Sequence, residues 1–391
     1  MKKNIVLLFI FSSFLITAEK TDNLERKFII GNIEEKIESV QESDSSNALK
    51  MSEKGIDYAL SNVEVLGSNT ELSALAEASI LNLIKNVSIE NLDNSKSKAL
   101  SIKLLEIFNK FDDENVKITT VDCLSRFNDV KWNGTVDVFN NYLEARYKEN
   151  HPGNFLIGNI ISALGNFGDR RSLSVIYNIW TNRKWPEYQQ AEEKSIVSLC
   201  ESLQDDAKKI ILYSDNSKIE EFLMMILKSD RNKDNLKENV AETALFSAIN
   251  NVESSHEFSK SFYLIQKEAL EALSSAKWSH AEKIVLKNFD AAEKEYDMKF
   301  ISDDEFVEII NLTAKFSTAD IAEAFSKLLG EFNSRAEKTE IPSEPVALAL
   351  IKSLGELGNK TAFDNLLYVT YLSYPEKVID AAKDSLAKLK W

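Results

Sequence analysis

Residues that reverse a chain are scarce here: 391 residues hold 11 glycines and 5 prolines. An all-β protein of this length needs many more, so the shortage points to helices. Cysteine is almost missing. Cys123 and Cys200 are the only two, which excludes a disulfide-stapled scaffold. Each sits late in an apolar segment, beside Val121 and Leu124 or beside Leu199. Two helix pairs should separate them, so both read as buried free thiols. The three histidines, His151, His256 and His280, are far apart and lack partners at i+3 or i+4. That spacing excludes a zincin helix or a zinc finger. No Gly-x-Ser-x-Gly or Gly-x-Gly-x-x-Gly occurs. The stretch Gly355 to Lys360 imitates a phosphate loop but lacks its spacing and the Ser or Thr after the lysine. Asp303, Asp304 and Glu305 are consecutive rather than alternating. They suit the first turn of a helix better than a calcium loop. The expectation is a chain with no catalytic set, no metal and no cofactor.

Positive charge is also short. There are 47 Lys and Arg against 62 Asp and Glu, a formal net charge of −15. Such a surface favours solubility. It works against nucleic-acid binding, which needs cations to neutralise phosphates, and against adsorption to anionic lipid.

Long apolar runs are confined to the start. Met1-Lys2-Lys3 is basic, Ile5 to Ile16 is almost wholly apolar, and Ala18 precedes Glu19. This is the pattern of a secretory signal peptide over residues 1–18, too short for a comfortable membrane span. Ile16 at the −3 position leaves an uncleaved anchor as the alternative. No other segment is long and apolar enough to cross a bilayer, so no membrane insertion is expected once the leader is removed. The implied address is export, to the periplasm or another part of the cell envelope. Residues 19–46 are polar and read as a tether or N-terminal cap, with a short helix between Phe28 and Val40.

From Ala48 onward the chain is striped. Leu100, Leu104, Ile107, Phe108 and Phe111 follow i, i+4, i+7, i+8, i+11, and Ile321, Phe325, Leu328, Leu329 and Phe332 repeat that spacing. Each is one apolar face on a helix with a polar back. Closing leucines of successive second helices fall at Leu124, Leu164, Leu199, Leu273, Leu312, Leu354 and Leu386. The gap between Leu199 and Leu273 holds two units, the first ending near Ala248. The spacing gives about eight helix pairs over residues 47–391.

One segment recurs. Leu164-Gly165-Asn166-Phe167-Gly168-Asp169 returns as Leu354-Gly355-Glu356-Leu357-Gly358-Asn359, and Leu173, Ile176 and Tyr177 then fall opposite Phe363, Leu366 and Leu367. Gly168 and Gly358 fit a left-handed helix end, and Asp169 and Asn359 fit the next N-cap. Gly165 and Gly355 would let helices approach closely. Pro186-Glu187 and Pro375-Glu376 would open the helices that follow. The Leu-Gly-x-x-Gly-Asp/Asn pattern resembles HEAT repeats, in particular the phycobilisome-lyase-type HEAT-like repeats, here in an exported bacterial type of chain. Residues 154–203 and 346–390 carry it best. The arginine often found early in the second helix is missing from both. The resemblance implies an all-α solenoid of antiparallel helix pairs and a protein-binding scaffold, without carrying over an active site. An enzyme or lyase-like subunit on the same scaffold is the alternative.

One stretch stands apart in charge. Residues 126–184 hold eight bases against five acids, whereas residues 280–345 hold eight against fifteen. The basic stretch also carries Trp132, Tyr142, Tyr147 and Trp180, with Trp185 just beyond. Arginine with aromatics is hot-spot composition. Trp180 shares a stripe with Leu173, Ile176 and Tyr177 and reads as core. Trp132 and Trp185 fall in polar connections and read as exposed anchors. The expected partner-binding residues are Trp132, Arg146, Tyr147, Arg183 and Trp185, facing an acidic protein whose identity, like the oligomeric state, the sequence does not give.

Removal of the leader is directly measurable. Mass spectrometry of the native protein is expected to find Glu19 at the N-terminus. Intact Met1 on a protein that stays in the cytosol would overturn the export reading.

Overall fold

The computed structural model describes residues 23–127 and 134–390. The segment read as a leader (residues 1–18) and Lys131, Trp132 and Trp391 lie outside them. Among the described residues the regular elements are all helices, without strands. The chain divides into two compact units, Met1–Leu199 and Cys200–Trp391.

The first unit begins with α1 (23–30) and α2 (Ile33–Gln41). Next come α3 (Ala48–Leu66), α4 (Thr70–Asn86), α5 (Asn94–Lys110) and α6 (Glu114–Leu124). It continues with α7 (Thr135–Lys148), α8 (Phe155–Phe167), α9 (Arg170–Thr181) and α10 (Gln189–Ser202), inside which the unit boundary falls. Neighbours pack in pairs, α3 on α4, α5 on α6 and α7 on α8. The even helices α2, α4, α6 and α8 also pack in order, as do α3 on α5 and α7 on α9.

The second unit contains α11 (Gln204–Leu212), α12 (Asn216–Lys228), α13 (Leu236–Ser255), α14 (Lys260–Ser275) and α15 (Glu282–Asp297). After these come α16 (Asp303–Ala314), α17 (Ala319–Glu337), α18 (Glu344–Leu357), α19 (Phe363–Val369) and α20 (Glu376–Leu386). Its even helices form one packed row from α12 to α20, and its odd helices form a second from α11 to α19. Among the described residues α3 to α20 make nine successive helix pairs: the eight marked by the spacing and the α3–α4 pair before Leu124's own. Ala248 sits on α13, in the odd row, so it does not close a second helix. That role falls to Ile226 on α12. The error arose because α11 is only nine residues long, too short to show a stripe.

From residue 23 onward the polar N-terminal segment is folded. Leu24, Phe28 and Val40 are buried, and Phe28 and Val40 share a cluster with Met51 and Leu75. Lys36 Nζ donates to the carbonyls of Phe28 (2.7 Å) and Gly31 (2.5 Å). The Ser43 region looked least ordered in sequence, yet Asn82 Nδ2 donates to Ser43 Oγ at 3.0 Å and to Ser52 Oγ at 2.9 Å.

The caps follow the sequence closely. Gly168 and Gly358 adopt φ of 66° and 65°, the left-handed region, at the ends of α8 and α18. Asp169 Oδ1 accepts from the Arg171 amide, and Asn359 Oδ1 accepts from the Thr361 amide, both at 3.0 Å. Asp303, Asp304 and Glu305 form the first turn of α16, closed by a capping box between Ser302 and Glu305. Cys123 and Cys200 are free and buried, and burial pushes both thiols up to about 12.

The close approach expected at the paired glycines is present in both units. A methyl group at Gly165 would lie 2.7 Å from Ser195 Cα, and one at Gly355 would lie 2.9 Å from Ser385 Cα. The serines complete the contact. Ser195 Oγ donates to the Ile161 carbonyl at 3.0 Å, and Ser385 Oγ donates to the Ile351 carbonyl at 2.9 Å. Hence Gly355→Ala should destabilise the protein by about 1–3 kcal/mol through overpacking, read from urea unfolding. Adding Ser385→Ala should not restore it, because the obstructing atom is backbone. Full recovery in the double variant would show that only the hydroxyl limits the approach.

Candidate protein-binding surface

The residues singled out by sequence lie on α7, α9 and the connections after them. Both helices end in the same way. Asn150 and Arg183 take positive φ (54° and 50°), and the next amides, His151 and Lys184, reach back to the Arg146 and Ile179 carbonyls at 3.0 and 3.2 Å. This six-to-one closure satisfies carbonyls that would otherwise be orphaned. It turns both chains sharply at one edge of the unit.

Trp185 holds that edge together. Its indole Nε1 donates to the His151 carbonyl at 2.9 Å, joining the α9–α10 connection to the α7–α8 connection. The side chain is only 1% exposed. Sequence placed Trp185 as an exposed anchor because polar residues surround it, and that expectation is corrected. The ring is buried and its one polar atom is bonded to the neighbouring connection, so it is a structural staple. A second tryptophan before a short 3-10 turn behaves similarly: Trp278 Nε1 donates to Glu242 Oε2 at 2.7 Å. Two tryptophans, each introducing such a turn, were the available signal. Trp180 is buried, as its stripe implied.

The other candidates do not converge on one spot. Arg146 stacks on Tyr142 at 5.1 Å and pairs with Glu149 at 3.1 Å. Lys117 shares the Tyr142 ring, 5.8 Å away, and burial lowers its pKa. Arg183 lies over Trp180 at 5.5 Å. Tyr147 is covered by Lys184 at 5.7 Å, and Lys184 also bonds Asn150. Much of the stretch's positive charge is matched locally. Arg126 pairs with Asp122, Lys148 with Glu144, and Arg171 with both Asp137 and Asp169. Its excess of bases therefore does not amount to an open cationic patch. Nearby, burial raises the Glu192 carboxyl to about 7, against a smaller pull from Arg183.

Between α7 and α9 lies a groove of about 330 Å³. Tyr147, Val175 and Ile179 give it apolar surface, and Glu144, Lys148, Ser174 and Asn178 are its polar margin. Of these, only Tyr147 was expected. The corresponding helices of the second unit, α17 and α19, make a useful contrast. There Asn333 Nδ2 donates to the Asn365 carbonyl at 3.0 Å, and Tyr368 bonds Glu337. Both bonds cross from α17 to α19. Helix endings and the recurrent segment align Glu144 with Asn333, Lys148 with Glu337, Val175 with Asn365 and Asn178 with Tyr368. In the first unit Lys148 instead pairs with Glu144 at 3.5 Å, along its own helix. Asn178 takes a bond from Asn182 at 3.0 Å, also on its own side. The groove is open where its counterpart is bridged twice, and those changes of residue type were readable in the sequence once aligned.

No family model matches the chain, and no curated protein matches it.

As a staple, Trp185 has a predictable weight. Trp185→Ala should cost about 3–5 kcal/mol as a large core truncation. Trp185→Phe should cost less, keeping most of the apolar volume and losing one hydrogen bond worth about 1 kcal/mol. Chemical denaturation checks both, and an unchanged midpoint for Trp185→Ala would return the residue to the surface.

Proposed function

We propose that this chain is an exported, non-enzymatic scaffold whose helix pairs stack as a HEAT-like solenoid within each unit and which holds a protein partner in the α7–α9 groove. One observation carries this reading: the groove lacks the two cross-helix bonds of its counterpart between α17 and α19. Helical repeats use such variable surface positions for binding while the packed interior stays constant. Tyr147, Val175 and Ile179 supply apolar surface, and Ser174 and Asn178 supply hydrogen-bonding groups at its rim. Lys184 lies over the ring of Tyr147, a lining residue, and adds a cation beside it. An enzymatic reading would draw on Glu192, whose pKa near 7 suits acid–base chemistry. Its side chain is buried away from solvent, which favours a structural role.

The test copies the second unit's bridge into the first. A photo-reactive residue at Ser174 should form one dominant adduct with a protein partner in intact cells. Lys148→Glu with Asn178→Tyr should abolish that adduct while leaving thermal stability equal or higher. Retention of the adduct in the bridged variant would overturn the groove as the binding site, and its complete absence in the parent would overturn the scaffold reading.

A further inference from the structure

The acidic stretch of the second unit is less well matched than the basic stretch of the first. Residues 280–345 hold fifteen acids against eight bases. Among the described residues, only Asp297, Glu305, Glu308 and Glu344 of those acids form ion pairs. Three of these pairs draw their cation, Lys260, Lys267 or Lys377, from outside the stretch. A field of one sign left uncompensated steers a partner of the opposite sign.

That field meets exposed apolar surface along one edge. Met298 and Phe300, in the α15–α16 turn, are 64% and 59% exposed, and Ile341, between α17 and α18, is 45% exposed. Phe258, between α13 and α14, is half-buried and packs on Phe300 with ring centroids 5.1 Å apart. Polar side chains tie the three connections into one strip: Lys260 pairs with Glu305, and Ser343 donates to Asp303. Residues 256–260, 298–305 and 338–344 along this strip hold six acids against three bases. Of the bases, Lys260 is taken up by Glu305, and Lys299 lies over the Tyr296 ring at 5.2 Å. Glu257, Asp304 and Glu340 are exposed and in no ion pair among the described residues.

Closed turns hold this display in place. His256 and Lys299 take φ of 59° and 65°, and the Phe300 amide donates to the Glu295 carbonyl at 2.9 Å. A surface set in advance loses little freedom on binding. Aromatic residues and methionine suit the centre of an interface, and the charges around them select the partner's sign. A second copy of this chain would bring acids against acids, and anionic lipid is repelled in the same way. We propose that this edge, independently of the α7–α9 groove, docks a cationic amphipathic segment of a partner protein. Apolar residues of that segment cover Met298, Phe300 and Ile341, and its lysines or arginines face Glu257, Asp304 and Glu340.

The probe is a labelled synthetic leucine–lysine helix of about five turns with its leucines on one face. It is titrated with the full chain at physiological salt. Binding should slow hydrogen exchange in the α15–α16 turn. Met298→Ser with Phe300→Ser should weaken it at least about tenfold, and these side chains are exposed, so thermal stability should stay at the parent's value. Asp304→Lys with Glu340→Lys should weaken it to a similar degree and tests the edge even if the serine variant misfolds. Tyr213→Ser removes another exposed ring, 89% exposed at the end of α11, and should leave binding unchanged. A peptide of the same composition with scattered leucines should bind at least about tenfold more weakly. Absence of binding, equal binding of the two peptides, or parental affinity in both double variants overturns the proposal. So does self-association of the parent, or its binding to phosphatidylglycerol vesicles, that Met298→Ser with Phe300→Ser removes, since the occupant is then a second copy or a membrane.

Discussion

No helix in this chain can bury its apolar stripe by itself, and the structure follows from how closely its neighbours can come. Stripes such as that on α17 are wide, running through Ile321, Phe325, Leu328, Leu329 and Phe332, all buried. They need contact with a pair partner and with helices two places away. One such close approach is made at Gly165 and again at Gly355, where the facing serine backbone leaves no room for a methyl. The serine hydroxyl then bonds a carbonyl one turn before the glycine, on the helix it faces. That bond satisfies the only polar group introduced at the contact, so closeness carries no penalty for an unpaired donor. Since the same three positions recur 190 residues apart in the sequence, the device belongs to the repeat and not to one locality.

Features fixed by local backbone chemistry were legible from sequence. Left-handed helix ends at Gly168 and Gly358, caps at Asp169 and Asn359, and the acidic first turn at Asp303 each depend on a few adjacent residues. The buried thiols were legible because apolar stripes locate the core. Features set by distant partners were not. Trp185 is surrounded in sequence by Lys184 and Pro186, and its indole partner lies 34 residues earlier. The bases of residues 126–184 were counted correctly, but a count says nothing of which carboxylate lies a turn away. The short α11 hid a repeat boundary. Of the expected site, Tyr147 does line the groove, Arg146 and Arg183 lie beside other rings, and Trp132 falls outside the described residues.

Buried carboxyls are the clearest departure from efficient packing. Glu192 and Glu295 are both buried, and burial dominates the upward shift of each. Their situations differ. Glu192 has Arg183 within electrostatic reach, so its ionised form has some compensation. Glu295 has the neutral Gln266 amide, which eases ionisation a little, and as its charged neighbour Glu305, which makes ionisation worse. A carboxyl with a cation nearby can serve packing over a broad pH range. One with only a like charge nearby is at ease only while protonated.

The edge geometry explains how a groove can vary without disturbing the fold. α7, α9, α14, α15 and α17 end with a non-glycine residue at positive φ whose following amide reaches back five residues: Asn150, Arg183, Lys277, Lys299 and Thr339. A left-handed residue other than glycine costs about 1–2 kcal/mol, so a chain that repeats the feature five times gains something from it. The gain is a tight turn that sets where the next helix begins. In the first unit, those turns and the Trp185 bond fix the ends of α7 and α9. With the ends fixed, the side chains between them need not hold the helices together. In the second unit the same positions carry Asn333, Glu337, Asn365 and Tyr368, which bond across. In the first they carry Glu144, Lys148, Val175 and Asn178, which leave a groove. The backbone fixes the walls at their ends, and the residues between them are left free to close the space or to offer it.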